Sequence, residues 1–183
     1  MTILHIDASI NGQNSASRAI SKSIVDQLKS AQWGEKVVYR DLAVEPIAHL
    51  TLDAFADSSV LDEFLAADTI VIGAPMYNFT LPSQLKAWID RIVIAGKTFH
   101  YTATGPEGLA KGKRVIIALA RGGFYDASSP AAALEHLETY LRGVFNFIGV
   151  EPEFVAADGL AIGPEQRDAS IKQALGETAR LAA

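Results

Sequence analysis

Thr69-Ile70-Val71-Ile72-Gly73-Ala74-Pro75-Met76-Tyr77-Asn78-Phe79 begins as a β-branched run and stops at Gly73 and Pro75, beyond which Met, Tyr, Asn and Phe stand side by side in a loop. Short apolar runs of this kind are strands of a sheet covered on both faces. In an open α/β sheet, ligands bind outside the carboxyl ends of the strands, so aromatic side chains at this strand end suggest a site for a flat ligand. The competing reading is a strand end whose aromatics fold back over the core. The rest of the chain decides between them.

Four further segments have strand character: Ile3 to Ile6, Lys36 to Asp41, Arg114 to Ala120 and Glu153 to Ala157. Helical spacing lies between them. Ile20, Ile24 and Leu28 recur every four residues, and Leu85, Trp88, Ile89, Ile92 and Val93 follow the i, i+3, i+4, i+7, i+8 pattern. Val60, Leu61, Phe64 and Leu65 form a weaker face behind the candidate caps Ser58 and Ser59. Leu134, Leu137, Leu141 and Phe145 precede a stop at Gly149, and Ile171, Leu175 and Leu181 follow Gly163-Pro164. Five alternations of strand and helix predict right-handed crossovers. The expected architecture is one α/β domain over residues 1–183, a doubly wound five-stranded parallel sheet in the order 2-1-3-4-5 with helices on both faces.

Composition narrows the function. With 183 residues and 49% hydrophobic content, the chain has enough apolar material for one good core. Its net charge of −5 and lack of a Lys/Arg block argue against nucleic acid or an anionic membrane surface as the main partner. Cysteine is absent, which excludes disulfides, thiolate metal sites and a cysteine nucleophile. Met1-Thr2-Ile3-Leu4-His5-Ile6-Asp7 lacks the pattern of a leader, and no segment reaches the ~18 apolar residues of a membrane helix. A cytoplasmic protein acting on small molecules is expected.

Three loops meet at the carboxyl edge of the predicted sheet, beside the point where strand order reverses. The first, Asp7 to Arg18, carries Ser9, Ser15 and Ser17 and leads straight into a helix. Hydroxyls, free backbone N–H groups and roughly half a positive charge at the helix N-terminus suit a phosphate, and Arg18 is placed to add a charge-assisted contact. Helix capping by Ser15 or Ser17 is the competing reading. Met76, Tyr77, Asn78 and Phe79 form the second loop. The third is Ala120-Arg121-Gly122-Gly123-Phe124-Tyr125, where paired glycines permit close approach of the backbone to a ligand. Phosphate chemistry on one side and apolar walls on the other fit a mononucleotide with a large flat ring, and FMN is the natural candidate.

Other motifs fail. Ala95-Gly96-Lys97-Thr98 imitates the end of a phosphate-binding Walker loop, but it closes a helix and Arg91 occupies the required glycine position. No Gly-x-Ser-x-Gly elbow and no Gly-x-Gly-x-x-Gly fingerprint occur. His5, His49, His100 and His136 lack metal-ligand spacing, so no metal site is expected, and His5 reads as a core residue or one behind the site.

The motifs Met76-Tyr77-Asn78-Phe79, Arg121-Gly122-Gly123, the Ser9 and Ser15 to Ser17 loop, Tyr39-Arg40-Asp41-Leu42 and Gly105-Pro106-Glu107-Gly108-Leu109 resemble the FMN-dependent NADH azoreductases, which also act as NADH:quinone oxidoreductases. The resemblance covers nearly the whole chain. It implies a flavodoxin-like homodimer with tightly bound FMN near the dimer interface, taking a hydride from NADH or NADPH and reducing quinones and azo compounds by a two-electron ping-pong route. It also implies that Ser9, Ser15, Ala16 and Ser17 hold the phosphate and ribityl end, while Met76 to Phe79 and Ala120, Arg121, Gly122 and Gly123 line the ring. Backbone N–H groups at Gly122 and Gly123 would stabilise negative charge near N1 and O2, and Asn78 offers a donor and an acceptor to the ring edge.

Since the flavin carries the hydride, no protein nucleophile is required. Phe79, Phe124 and Tyr125 are the expected walls of a pocket that donor and acceptor occupy in turn, and the family resemblance implies that Tyr101 lies near the ring of the partner subunit. Two departures from the family stand out: alanine at position 120, often serine in relatives, and a shortened segment between Leu50 and Leu65 that bears on substrate range. The rival readings are a flavodoxin-type single-electron carrier without NADH turnover and a nucleotide-sensing module.

Overall fold

The structure, a computed structural model, describes residues 1–31 and 36–181. Five strands, β1 (Thr2–Asp7), β2 (Lys36–Asp41), β3 (Thr69–Pro75), β6 (Arg114–Ala120) and β7 (Glu153–Ala157), pair in parallel in the order β2-β1-β3-β6-β7. Relabelled without the two strands of an intervening hairpin, this is the expected 2-1-3-4-5. That hairpin, β4 (Phe99–Thr102) and β5 (Gly105–Gly108), is antiparallel and stands apart from the main sheet. Periodicity misses it because its strands have four residues each and are mostly exposed.

Alternation along each central strand sends side chains to opposite faces, and each face has its own core. Leu4, Ile6, Ile70 and Ile72 pack with Phe64, Trp88 and Phe145 beneath α2 (Ser59–Ala66), α3 (Ser83–Ile92) and α4 (Glu138–Phe147). Ile3, Val71 and Ile116 pack with Ile20, Ile24 and Ala174 beneath α1 (Ala16–Ala31) and α5 (Pro164–Thr178). Every residue of β3 is buried, as its sequence requires, whereas β2 is a half-exposed edge.

Several local expectations change. Asp57, through the Ser59 N–H at 2.9 Å, serves the start of α2; Ser58 instead donates to Asp62. Leu134 lies in a separate 3-10 turn before α4 and is exposed. The face that α5 buries is Ser170, Ala174 and Thr178, with Leu175 exposed and Leu181 beyond the helix. Small residues win there because α5 packs closely on α1, where the Ser23 and Thr178 hydroxyls meet at 2.8 Å. Gly149, at φ 91°, follows the end of α4 as a left-handed residue. Residues 95–98 do close a helix: Thr98 Oγ1 donates to the Ile92 carbonyl at 2.7 Å. His5 is buried in β1, with Nε2 3.0 Å from Ser21 Oγ and its ring against Tyr39. Among the described residues, no helix is long and apolar enough to cross a membrane.

Candidate functional site

Four loops meet at the carboxyl edge around a cavity of about 190 Å³. The β1 loop contributes Ser9, Asn11, Asn14, Ser15 and Ala16; the β3 loop, Met76 and Tyr77; the β6 loop, Ala120 and Gly122; and the β7 loop and α5, Leu160, Ala161 and Arg167. Cross-bonds fix these loops. The Tyr77 hydroxyl accepts from the Ile10 N–H at 3.1 Å and lies 3.3 Å from Ser9 Oγ. Met76 N–H donates to the Ala120 carbonyl at 2.9 Å, while the carbonyls of Gly122 and Gly123 accept from the N–H groups of Ala161 and Gly159.

Those bonds consume carbonyls and leave donors. Among the described residues, the N–H groups of Ala16 and Ser17 at the start of α1, and of Gly122 and Gly123, have no acceptor. The first N–H groups of a helix have no partner within it, and Ala16 and Gly122 line the cavity, so acceptor atoms of a ligand can pair with donors at this edge. Its two ends differ in chemistry. The α1 end offers N–H groups and hydroxyls for an anion, and the Met76 and Tyr77 end offers a flat apolar wall.

The Met76 to Phe79 loop owes its shape to a tight turn. Tyr77 and Thr80 exchange backbone hydrogen bonds across Asn78 and Phe79, which both have positive φ, 48° and 71°. Positive φ at both central residues marks a type I′ hairpin turn. Asn tolerates that conformation, whereas Phe holds it under strain, a condition concentrated at functional sites.

The expected site residues divide accordingly. Ser9, Ser15, Ala16, Met76, Tyr77, Ala120 and Gly122 converge on the cavity. Ser17 is fully buried with its hydroxyl 3.1 Å from Ser15 Oγ, and Ser15 Oγ also accepts from the Arg18 N–H, so helix capping and cavity lining coexist in this loop. Asn78, Phe79, Arg121 and Gly123 stand outside the lining. Phe79 meets Tyr125 edge to face at 6.4 Å, and Phe124 lies against Gly159. Tyr101, 74% exposed on the β4–β5 hairpin, touches Phe99.

The two arginines take roles other than the expected ones. Arg18 is committed to Asp41 through two bonds of 2.6 and 2.7 Å, and also donates to the Ser9 carbonyl and the Tyr39 hydroxyl. It braces the loop from behind and has no free fork for a phosphate. Arg121 turns its side chain into an acidic cluster, with Nε 2.6 Å from Asp158 and Nη1 3.3 Å from Glu138. Only its backbone belongs to the edge. Burial works against the Arg121 charge, but Asp158, Glu138 and Glu135 hold the guanidinium more firmly protonated than usual.

Asn11, Asn14, Leu160, Ala161 and Arg167 line the cavity without having been singled out as site residues. The Asp158-Gly159 pair directly after the last strand was the available signal for the fourth loop.

A larger depression of about 660 Å³ lies along β1, β2 and α1, lined in part by His5, Asp7, Arg18, Tyr39 and Asp41. Its polar groups already satisfy one another: Ser21 donates to Asp7 at 2.8 Å and Tyr39 donates to Asp7 at 3.1 Å. Desolvation, followed by the charge of Asp7, pushes the Tyr39 phenol up to about 12. The Arg18 hydrogen bond holds Asp41 below its usual carboxylate value, helped by the N–H groups of Ala43 and Val44. Because the folded pKa is the lower one, this pair stabilises the fold fully above the unfolded value and is lost as pH falls through the folded value. Stability measured against pH is therefore expected to decline below about 3.8 in part through Asp41, and Asp41→Asn flattens that limb of the curve. Identical slopes in the two proteins would remove Asp41 from the acid response.

Comparison with known proteins gives the fold and site a family. The family model described as a flavodoxin-like fold matches residues 1–181. An FMN-dependent NADH:quinone oxidoreductase of Bradyrhizobium diazoefficiens is 55% identical, with 96% of each chain covered. The chain belongs to the FMN-dependent NADH:quinone oxidoreductase family of the flavodoxin-like fold. Its alignment to that relative runs over 193 positions, so the relative carries residues that this 183-residue chain lacks. Two azoreductase structures from Bacillus anthracis are also similar. One has a TM-score of 0.91 at 29% identity, covering 100% of this chain and 98% of its own; the other, an FMN-dependent NADH-azoreductase in complex with FMN, has a TM-score of 0.85 at 26% identity, covering 100% and 99%.

Proposed function

We propose that this protein is an FMN-dependent NAD(P)H oxidoreductase that reduces quinones and azo compounds in the cytoplasm as a homodimer, by a two-electron ping-pong cycle. The observation that carries the reading is the carboxyl-edge cavity, which brings the unpaired N–H groups of Ala16 and Gly122 together with Met76 and Tyr77. These groups fit FMN. The N–H groups of Ala16 and Ser17, with the Ser9 and Ser15 hydroxyls, suit its phosphate and ribityl oxygens. Met76, Tyr77 and the Gly122–Gly123 backbone suit its ring.

When bound, FMN would supply the redox chemistry, a two-electron exchange in which the hydride's electrons, with protons, pass on to the acceptor. The protein's part is to orient and polarise. The N–H of Gly122, on the cavity wall, and that of Gly123 beside it would be the donors for negative charge developing on a bound ring, and such fixed donors act without reorganisation during the reaction. Phe79, Phe124 and Tyr125, just outside the cavity lining, would supply an apolar wall for a site used in turn by nicotinamide and acceptor. Successive use of one face gives the ping-pong order. Exposed Ile10, Leu52, Phe55 and Tyr101 are our candidates for the dimer contact, and the shortened segment between Leu50 and Leu65 leaves a more open substrate pocket.

Anaerobic stopped-flow absorbance with NADH, then benzoquinone or methyl red, tests the reading. Bleaching of the flavin by NADH and recovery with either acceptor is expected. A flavin that NADH leaves oxidised overturns the enzyme reading, and one that both acceptors leave reduced favours a single-electron carrier.

The turn geometry supplies a control for Asn78. Asn78→Ala would strain a left-handed residue as well as remove an amide; Asn78→Gly removes only the amide. Asn78→Gly is expected to weaken FMN binding roughly fivefold, about 1 kcal/mol for one hydrogen bond, without a loss of thermal stability. Unchanged FMN affinity in a calorimetric titration would show that Asn78 serves the turn alone.

A further inference from the structure

Arg167 occupies the place that the sequence suggests for Arg18. It is the fourth residue of α5, half-buried, and the one fully charged side chain lining the carboxyl-edge cavity. The chain has eight arginines. Among the described residues, six of them meet a carboxylate: Arg18, Arg40, Arg91, Arg114, Arg121 and Arg142. The exceptions are Arg167 and Arg180, and Arg180 lies past the opposite end of α5. Arg167 is half-buried and has no carboxylate partner among the described residues, so its charge is uncommitted at the cavity wall.

Its one recorded side-chain bond explains its orientation. Nη2 donates to the Asn14 carbonyl at 2.8 Å, the residue immediately before Ser15. The same side chain thereby lies against the loop that carries Ser9, Ser15 and Ala16, and Nε and Nη1 have no acceptor among the described residues. A planar fork with two free donors on a cavity wall suits a phosphate monoester, which presents several acceptor oxygens and close to two negative charges.

We propose that Arg167 is the cation that binds the terminal phosphate of the flavin mononucleotide and so sets the preference for FMN over riboflavin. The inference rests on the proposed FMN site and adds to it a charge from a helix distant in sequence. Two contributions follow from one side chain. The Asn14 bond holds the serine loop in place, which benefits any flavin, while the free donors benefit only the phosphorylated form.

Flavin-fluorescence titration of the apoprotein with FMN and with riboflavin separates these contributions. The unaltered protein is expected to bind FMN more tightly than riboflavin. Arg167→Gln is expected to weaken FMN about 10- to 100-fold, the range for a hydrogen bond to a charged group, and riboflavin about twofold or less. Arg167→Lys, which keeps the charge, is expected to retain most of the FMN preference. Retained riboflavin binding by the Gln variant also reports that it is folded. Equal loss of both ligands in Arg167→Gln would make Arg167 a loop clamp only, and no loss of either would remove it from the site; each overturns the inference while leaving the FMN site standing. Failure of the unaltered protein to bind FMN would instead overturn the site itself.

Discussion

Arg121→Met is expected to lower the unfolding free energy by about 3 kcal/mol, the lower end of the cost of breaking a buried ion pair by removing one partner. Arg121 is 7% exposed, and its guanidinium meets Asp158, Glu138 and Glu135. Methionine fills similar volume but leaves Asp158 and Glu135 without their cation, while Glu138 keeps only Arg142, at 2.8 Å on the outer side of the cluster. Glu135 has a second duty, because its carboxylate accepts from the N–H groups of Leu137, Glu138 and Thr139 and so caps α4. The acidic cluster therefore joins the β6 loop, the start of α4 and the β7 loop at one point, and repulsion there loosens two walls of the cavity together. Urea denaturation measures the stability loss. Adding Asp158→Asn to the Met variant is expected to recover part of it, since one unpaired charge is removed. A loss under about 1 kcal/mol, within the range of surface pairs, would show that solvent reaches the cluster freely.

This arginine also illustrates what the sequence conceals. Arg121-Gly122-Gly123 is recognisable as a loop at a strand end, and the place of Gly122 on the cavity wall follows from that position. The direction of the Arg121 side chain does not, because Asp158 and Glu138 come from distant parts of the chain. Arg18 shows the same limit in reverse: it follows three loop serines and looks ready for phosphate, yet Asp41 arrives from the end of β2 and takes the fork. Strands buried on both faces were readable because their apolar runs are continuous, and the doubly wound order followed from the five alternations. The β4–β5 hairpin was not, since four-residue exposed strands have no apolar period. Arg167 was invisible for the same reason as the Arg121 cluster: only folding brings α5 beside the serine loop.

Gly108→Ala is expected to have the largest effect on any single element. A Cβ built at Gly108 stands 2.1 Å from the Gly149 nitrogen and 2.2 Å from the Ile148 carbonyl carbon. Both are backbone atoms, so no rotamer change relieves the clash, and Gly149 is itself held at φ 91° by its place after α4. The hairpin must move or the end of α4 must, at a cost of about 3 kcal/mol or more for overpacking without an escape. Movement of the hairpin breaks the neighbouring bonds from Leu109 N–H to the Thr98 carbonyl and from Ala110 N–H to the Ile148 carbonyl. Hydrogen exchange is expected to speed at these two amides while β3 and β6 stay protected; unchanged exchange and an unchanged thermal midpoint would mean that the two glycines are not in close contact. The same variant bears on the dimer proposal. If Tyr101 reaches the flavin of the partner subunit, displacing its hairpin weakens dimerisation and lowers turnover with quinones in parallel, whereas a hairpin remote from the interface costs stability and leaves the dimer dissociation constant unchanged.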